Sequence, residues 1–321
     1  MKDLFGRLLL FAEEQFSHLR VRSAERRLKE TEIGLAVERV VDQVNPRLRG
    51  LGGYRKRLAP VVEECLNRAR ELAGQVPGPV RVDRRAWATD PCVNALFGGV
   101  ERMRRVLTGP EVRRYVKEHP SGEDCFAVLA SLPMVKDQLG MELAGESVQR
   151  DVRHTTISFS DHEVGLVGAT EEEVRRALVG AALDVLVGIA VEDIVARESR
   201  ITELEDRLRI VRLKRKVVDA GSRGAAFILD GSTAHLAELE TLESRIAALE
   251  TELKEAKRGM ESLDDYLTRL VTLLEDPRAH LGLENVKVRL DRMNIVREDG
   301  DEATSNEVSF VRARRREDAG R

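Results

Sequence analysis

The densest group of chemically capable side chains in this sequence is Ser158, Ser160, Asp161, His162 and Glu163, with His154 close by. Serine, histidine and an acid are the parts of a nucleophilic triad, but here they are chain neighbours. Consecutive strand side chains point to opposite faces, so such neighbours do not converge on one reacting atom. His154 and His162 stand eight residues apart, which fits no recognised spacing of metal ligands. A strand end followed by a polar turn is the expected role. His18, His119, His235 and His280 are isolated. Cys65, Cys92 and Cys125 make an odd set without a CxxC pair. That argues against a disulfide framework or a structural zinc site, and for small buried residues in a reducing compartment. No catalytic residue, metal ligand or cofactor is assigned, and a non-enzymatic protein is expected.

A second group is basic. The run from Arg47 to Arg57 carries Arg47, Arg49, Arg55, Lys56 and Arg57, no acid, and the glycines Gly50, Gly52 and Gly53. It lacks the GxxxxGK[ST] order of a P-loop. Its cations suit phosphates, and Tyr54 is available to stack on a base. The alternative is a solvated loop between two helices. From Pro46 to Lys117 there are 16 basic and 7 acidic residues, a net of +9 in a chain whose overall charge is -3. The asymmetry points to an acidic partner, nucleic acid or an anionic membrane surface among them, or to one half of the chain docking on the other.

The third group lies in a turn between two long helices. Phe227, Ile228 and Leu229 stand at its expected tip, and Lys214, Arg215 and Lys216 come just before it. Tight helical hairpins need only a few polar residues, so an apolar trio there reads as a contact patch with a basic rim. Alternatively the trio folds back to cap the helices, and the bases complement a helix C-terminus.

Those helices organise the chain. Leu239, Leu242, Ile246, Leu249, Leu253, Ala256, Met260, Leu263, Leu267, Leu270 and Leu274 alternate spacings of three and four, the seam of a coiled coil. A second seam runs through Leu183, Val187, Ala190, Ile194, Ile201, Leu204, Leu208, Val211 and Val218, with Arg197 and Arg215 as polar residues that set its register. Thr170 and Glu173 form a capping box at its start, and Gly221 and Gly224 follow its end. At about 1.5 Å per residue that helix is roughly 70 Å long. Pairing Leu208 with Leu249 matches core to core throughout, sets Arg212 against Glu243, Glu198 against Lys257 and Arg207 against Glu252, and centres the turn on Ile228. It also sets Glu205 against Glu250 and Lys214 against Arg245. An antiparallel hairpin within one chain is therefore predicted, with pairing between chains as the rival.

Around the hairpin, residues 1–120 read as a net-basic helical region. Met1 to Arg22 has an amphipathic pattern that suits packing on protein or lying on a membrane surface. Thr31 to Val44 is a helix ended by Asn45-Pro46, and Pro60, Asp90-Pro91 and Gly109-Pro110 mark further helix starts. Residues 125–132, 139–143 and 155–159 read as three antiparallel strands. Val286, Val288 and Leu290, then Val308 and Phe310, alternate again, so the C-terminus is expected to return to the same sheet. The fold class is mainly α with a small antiparallel β-sheet, an α+β chain. Its predicted parts are a sheet domain of 121–165 plus 283–313, a coiled-coil arm of 170–276 inserted between strands, and a disordered tail of 314–321. No signal peptide or spanning segment is evident, which points to the cytoplasm. Two functions fit: a scaffold or adaptor that presents a site on its arm to another protein, with a homodimer as one form, or a nucleic-acid-associated protein that uses its basic half.

Overall fold

The computed structural model describes residues 27–120, 124–144, 147–225, 232–291, 293–297 and 305–315. In chain order these form α1 (residues 27–44), a 3₁₀ turn Pro46–Gly50, α2 Tyr54–Gln75, α3 Arg84–Thr89, α4 Pro91–Phe97, α5 Val100–Leu107 and α6 Pro110–Glu118. There follow β1 Phe126–Ala144, β2 Ser147–Gly168, α7 Glu171–Ala225, α8 Ser232–Lys257, α9 Leu263–Leu274, α10 Pro277–His280, β3 Leu281–Leu290 and β4 Asn306–Arg315. The chain is α+β, and the long helices stand between β2 and β3. It divides into two compact units. One is Met1–Cys65 with Asp184–Pro277, the other Leu66–Leu183 with Arg278–Arg321.

In the first unit, the stripe Val37, Val40 and Val41 of α1 is buried, as its spacing predicts. Asn45 ends the helix, and its side chain accepts from the Arg47 N–H at 3.0 Å to start the 3₁₀ turn. Helix α2 begins at Tyr54 rather than at Pro60, directly after Gly53 at φ 83°. Pro60 lies inside it and forgoes one helix hydrogen bond. The expected basic loop is therefore divided between a 3₁₀ turn and the first turn of a helix. Arg39 and Gln43 of α1 both reach Asp184 of α7, with Gln43 Nε2 at 2.7 Å.

Helices α7 and α8 form the predicted antiparallel hairpin within one chain. Leu204, Leu208 and Val211 of α7 are buried. On α8 the seam residues Leu239, Leu242, Ile246, Leu249 and Leu253 are half-buried while most of their neighbours are exposed. Ion pairs fix the direction, because partners on α8 recede as α7 advances: Glu205 meets Lys257 at 2.6 Å, Arg212 meets Glu250 at 2.6 Å, and Arg215 meets Glu243 at 2.8 Å. Arg200 pairs with Glu252. The predicted pairs of Arg212 with Glu243, Glu198 with Lys257 and Arg207 with Glu252 give way to these. The predicted clash of Glu205 with Glu250 is avoided because long side chains reach a turn up or down the partner helix, and each carboxylate finds a cation.

Two helix ends differ from the expectation. Helix α7 continues through Gly221 and Gly224 to Ala225. The seam from Leu239 to Leu274 is not one helix: α8 ends at Lys257, Gly259 adopts φ 75°, and Ser262 opens α9. A left-handed glycine ends a helix at no steric cost, and Ser262 with Asp265 forms a reciprocal capping box, so the sequence does specify the break. Beyond it Leu267, Leu270 and Leu274 are buried as predicted, and Leu263 is exposed.

In the second unit, the three predicted strands are a single antiparallel ribbon of two, β1 and β2. The run Lys136-Asp137-Gln138, between the first two predicted strands, continues β1 and is exposed. The register shifts at three places, and at each β2 carries the extra residue: Asp151, Asp161 and Leu166 adopt φ of 61°, 50° and 53°. These are bulges whose first residue is left-handed, a conformation that aspartate tolerates better than leucine does. Strands β3 and β4 form a separate antiparallel pair rather than joining the first sheet. Backbone hydrogen bonds from Ile157 N to Asn294 O (2.9 Å) and Val296 N to Thr155 O (2.8 Å) link the two. A common core of Ala95, Ile157, Phe159, Leu290 and Val308 also joins them, with Phe159 edge-on to Phe310 at 5.5 Å. Strand β4 runs to Arg315, past the expected start of the tail, and the remainder of that tail lies outside the described residues.

Candidate functional site

The side chains of the polar cluster on β2 contact other residues of the second unit. The bulge at Asp161 re-aims His162, whose ring stacks on Phe97 at 5.3 Å and hydrogen-bonds the Leu96 carbonyl through Nε2 at 2.8 Å. Ser160 Oγ donates to Asp161 at 3.2 Å, and His154 is buried at its own point on the strand. Among the described residues, no group of three or more histidines, cysteines or acids gathers as a metal site.

The basic run is largely occupied by the chain's own acids. Glu38 on α1 accepts from Tyr54 Oη at 2.7 Å, from Arg49 Nε at 2.9 Å and from Arg55 Nε at 2.9 Å. Arg49 also pairs with Asp42 at 2.7 Å. The Tyr54 hydroxyl, then the Arg49 and Arg55 guanidiniums, stabilise the Glu38 carboxylate and bring its pKa down from 4.5 to about 2. Arg57 pairs with Asp264 at 2.6 Å and donates to Thr268 Oγ1 at 2.6 Å. Arg47 and Lys56 are exposed and have no ion pair among the described residues. Within the chain the run thus meets Glu38, Asp42 and Asp264, and Glu38, which takes Arg49, Tyr54 and Arg55 together, is a residue the sequence gave no reason to single out.

At the far end of the hairpin, Phe227, Ile228 and Leu229 lie outside the described residues. Lys214, Arg215 and Lys216 are exposed on α7. Arg215 is committed to Glu243, whereas Lys214 and Lys216 have no ion pair among the described residues.

Beside those lysines lies a second set of apolar residues on α7, outside the seam. Ile210, Leu213 and Val217 are 53 %, 55 % and 72 % exposed. Their spacing of three and four puts them on one helix face. At 100° per residue that face is opposite the buried seam of Leu204, Leu208 and Val211. Large aliphatic residues turned to water in this way make an apolar stripe on the outside of a helix whose inside is already packed. Lys214 borders it on one side, Arg209 and Lys216 on the other. Between Arg209 and Val218 there are five basic residues and no acid. A shallow groove runs along the same flank between α7 and α8, lined by Leu208, Leu213 and Leu253 together with Arg209, Lys216 and Lys254 and the acidic Glu205, Glu250 and Glu261. The signal was present in the sequence as a second three-four pattern, out of phase with the first.

Among the described residues no helix is long and apolar enough to cross a membrane. No family model matches the chain, and no curated protein or solved structure matches it.

Proposed function

We propose that this protein is a non-enzymatic scaffold or adaptor that presents a partner-binding surface on its helical hairpin. The observation that carries the reading is the stripe Ile210, Leu213 and Val217, exposed on the face of α7 opposite the seam. Nothing in the fold of the hairpin requires apolar residues there, because the seam and four interhelical ion pairs already hold α7 to α8. A pre-ordered helix face binds at a lower entropic cost than a loop that must first be fixed. Three free thiols suit a reducing compartment, and we place the protein in the cytoplasm on that ground. The rival reading, phosphate binding by the basic half, is supported less. Of its six candidate residues, Arg49, Tyr54, Arg55 and Arg57 are bonded to acids of the same chain, which leaves Arg47 and Lys56.

The test is the triple variant Ile210→Ser, Leu213→Ser and Val217→Ser. It is expected to keep the helical content and thermal midpoint of the parent, since no buried contact is removed, and to lose whatever protein co-purifies with the parent. A large fall in the midpoint with co-purification intact would make the stripe structural and end the reading.

A further inference from the structure

We infer that the occupant of the stripe is an acidic amphipathic helix of a partner protein. The inference rests on the docking reading above and specifies its chemistry. The apolar residues at 210, 213 and 217 follow the three-four rhythm by which one helix grips another. Their spacing therefore calls for a helix laid along α7, with its own apolar stripe over Leu213 and towards the groove wall at Leu253. The borders decide its charge. Arg212 and Arg215 are neutralised across the seam by Glu250 and Glu243, and Arg209 lies 3.6 Å from Asp206. Lys214, Lys216 and Lys254 have no ion pair among the described residues. An arriving helix with glutamates or aspartates beside its apolar stripe would meet those ammonium groups on both borders.

Charge also argues against the simplest alternative, a second copy of the same arm. In an antiparallel pairing about Leu213, Lys214 and Lys216 of one chain would face the same lysines of the other, and like charges at an interface oppose association. A nucleic acid would use the lysines but not the apolar stripe. A bilayer surface would use both, and retention on lipid vesicles is therefore among the outcomes that would overturn the proposal.

Two synthetic peptides of about three heptads test the proposal against the full-length chain. Both carry leucine at the a and d positions. One has glutamate at the flanking positions, the other lysine. Titration by fluorescence anisotropy should show the glutamate peptide binding at least about tenfold more tightly than the lysine peptide, a difference of about 1.4 kcal/mol. Leu213→Asp should abolish that binding, and the double substitution Lys214→Glu with Lys216→Glu should reverse the preference, both variants keeping the parent's helical circular dichroism. Equal binding of the two peptides would overturn the assignment of charge while the docking reading stood. Binding undiminished in Leu213→Asp would remove the site and the docking reading together. If neither peptide binds up to about 1 mM, a helical occupant is excluded. Two further outcomes would also overturn the proposal: sedimentation showing a dimer that Leu213→Asp dissociates, which makes a second copy the occupant, and retention on phosphatidylserine vesicles lost in the same variant, which makes it a membrane.

Discussion

The guanidinium of Arg197 on α7 donates through Nε to the Ala256 carbonyl of α8 at 3.2 Å, and through Nη2 to the carbonyl of Arg258 at 3.2 Å. The seam pattern presents Arg197 as a polar residue tolerated among apolar ones. In the structure it caps the helix opposite. The last carbonyls of α8 have no partner within their own helix, and a positive charge at that end also suits the helix dipole. Seam break and seam arginine are therefore one device, in which the charge sits where the partner helix stops. Arg197→Met keeps the apolar stem and removes the cap. It is expected to cost roughly 1.5–3 kcal/mol in urea unfolding, the scale of hydrogen bonds to a charged group. An unchanged unfolding midpoint would show the contact to be incidental.

The direction of the hairpin is open to a covalent check. In a background with Cys65, Cys92 and Cys125 replaced, cysteines at Leu208 and Leu249 should crosslink within a single chain. Gel mobility under denaturing conditions distinguishes this from a dimer. Crosslinks found only between chains would mean that α7 and α8 pair across molecules, and the arm as described would not exist.

The Glu38 cluster makes a prediction in acid. Its carboxyl titrates at about 2 in the folded chain and at 4.5 ordinarily, so the unfolded chain holds that proton more tightly. The stabilisation is therefore fully present above about pH 4.5 and is lost as pH falls towards 2. Glu38→Gln should lower the thermal midpoint at neutral pH, and the gap between variant and parent should close across that interval. A gap that stays constant from 4.5 down to 2 would contradict the role given to the cluster.

Thiol reactivity should rank by burial. Cys65 is fully buried, its Sγ lies 3.5 Å from the Leu274 carbonyl, and burial pushes its pKa up to about 12. Burial raises the pKa of Cys92 as well, and Cys125 is exposed. Ellman's reagent is expected to label Cys125 first and Cys65 only on unfolding. Early labelling of Cys65 in the native chain would show that its helices open.

The sequence carried most of the architecture because helix signals are local and repetitive. The heptads, the Thr170 capping box and the Asp90 cap are each set by a few neighbouring residues. The Asp90 cap appears in the structure as read, whereas the Leu239–Leu274 heptads are interrupted at Gly259. The capping box is slightly altered, since Thr170 Oγ1 accepts from the Glu173 N–H while the Glu173 carboxylate reaches the Ala169 N–H. What was misread depended on distance or on weighing one signal against another. Gly259 and Ser262 were outvoted by an unbroken apolar spacing. The stretch that joins the first two predicted strands into β1 carries no apolar alternation, because both of its faces meet water. The separation of the two strand pairs follows from where Asn294 and Val296 meet β2, which no local pattern encodes. The site was less legible. The basic run advertised its cations, while the acid that neutralises them lay on the preceding helix among ordinary surface residues. The stripe of Ile210, Leu213 and Val217 was masked by the stronger seam on the same helix.

The central claim is that the outer face of α7 meets another protein while the inner face holds the hairpin. A photo-activatable benzoylphenylalanine placed at Leu213 of the full-length chain, and irradiated in the cells that make it, tests this most directly. The expected result is a discrete adduct whose second component is a different protein, and which disappears when Val217→Asp is added. No adduct at Leu213, or an adduct that survives Val217→Asp unchanged, would contradict it.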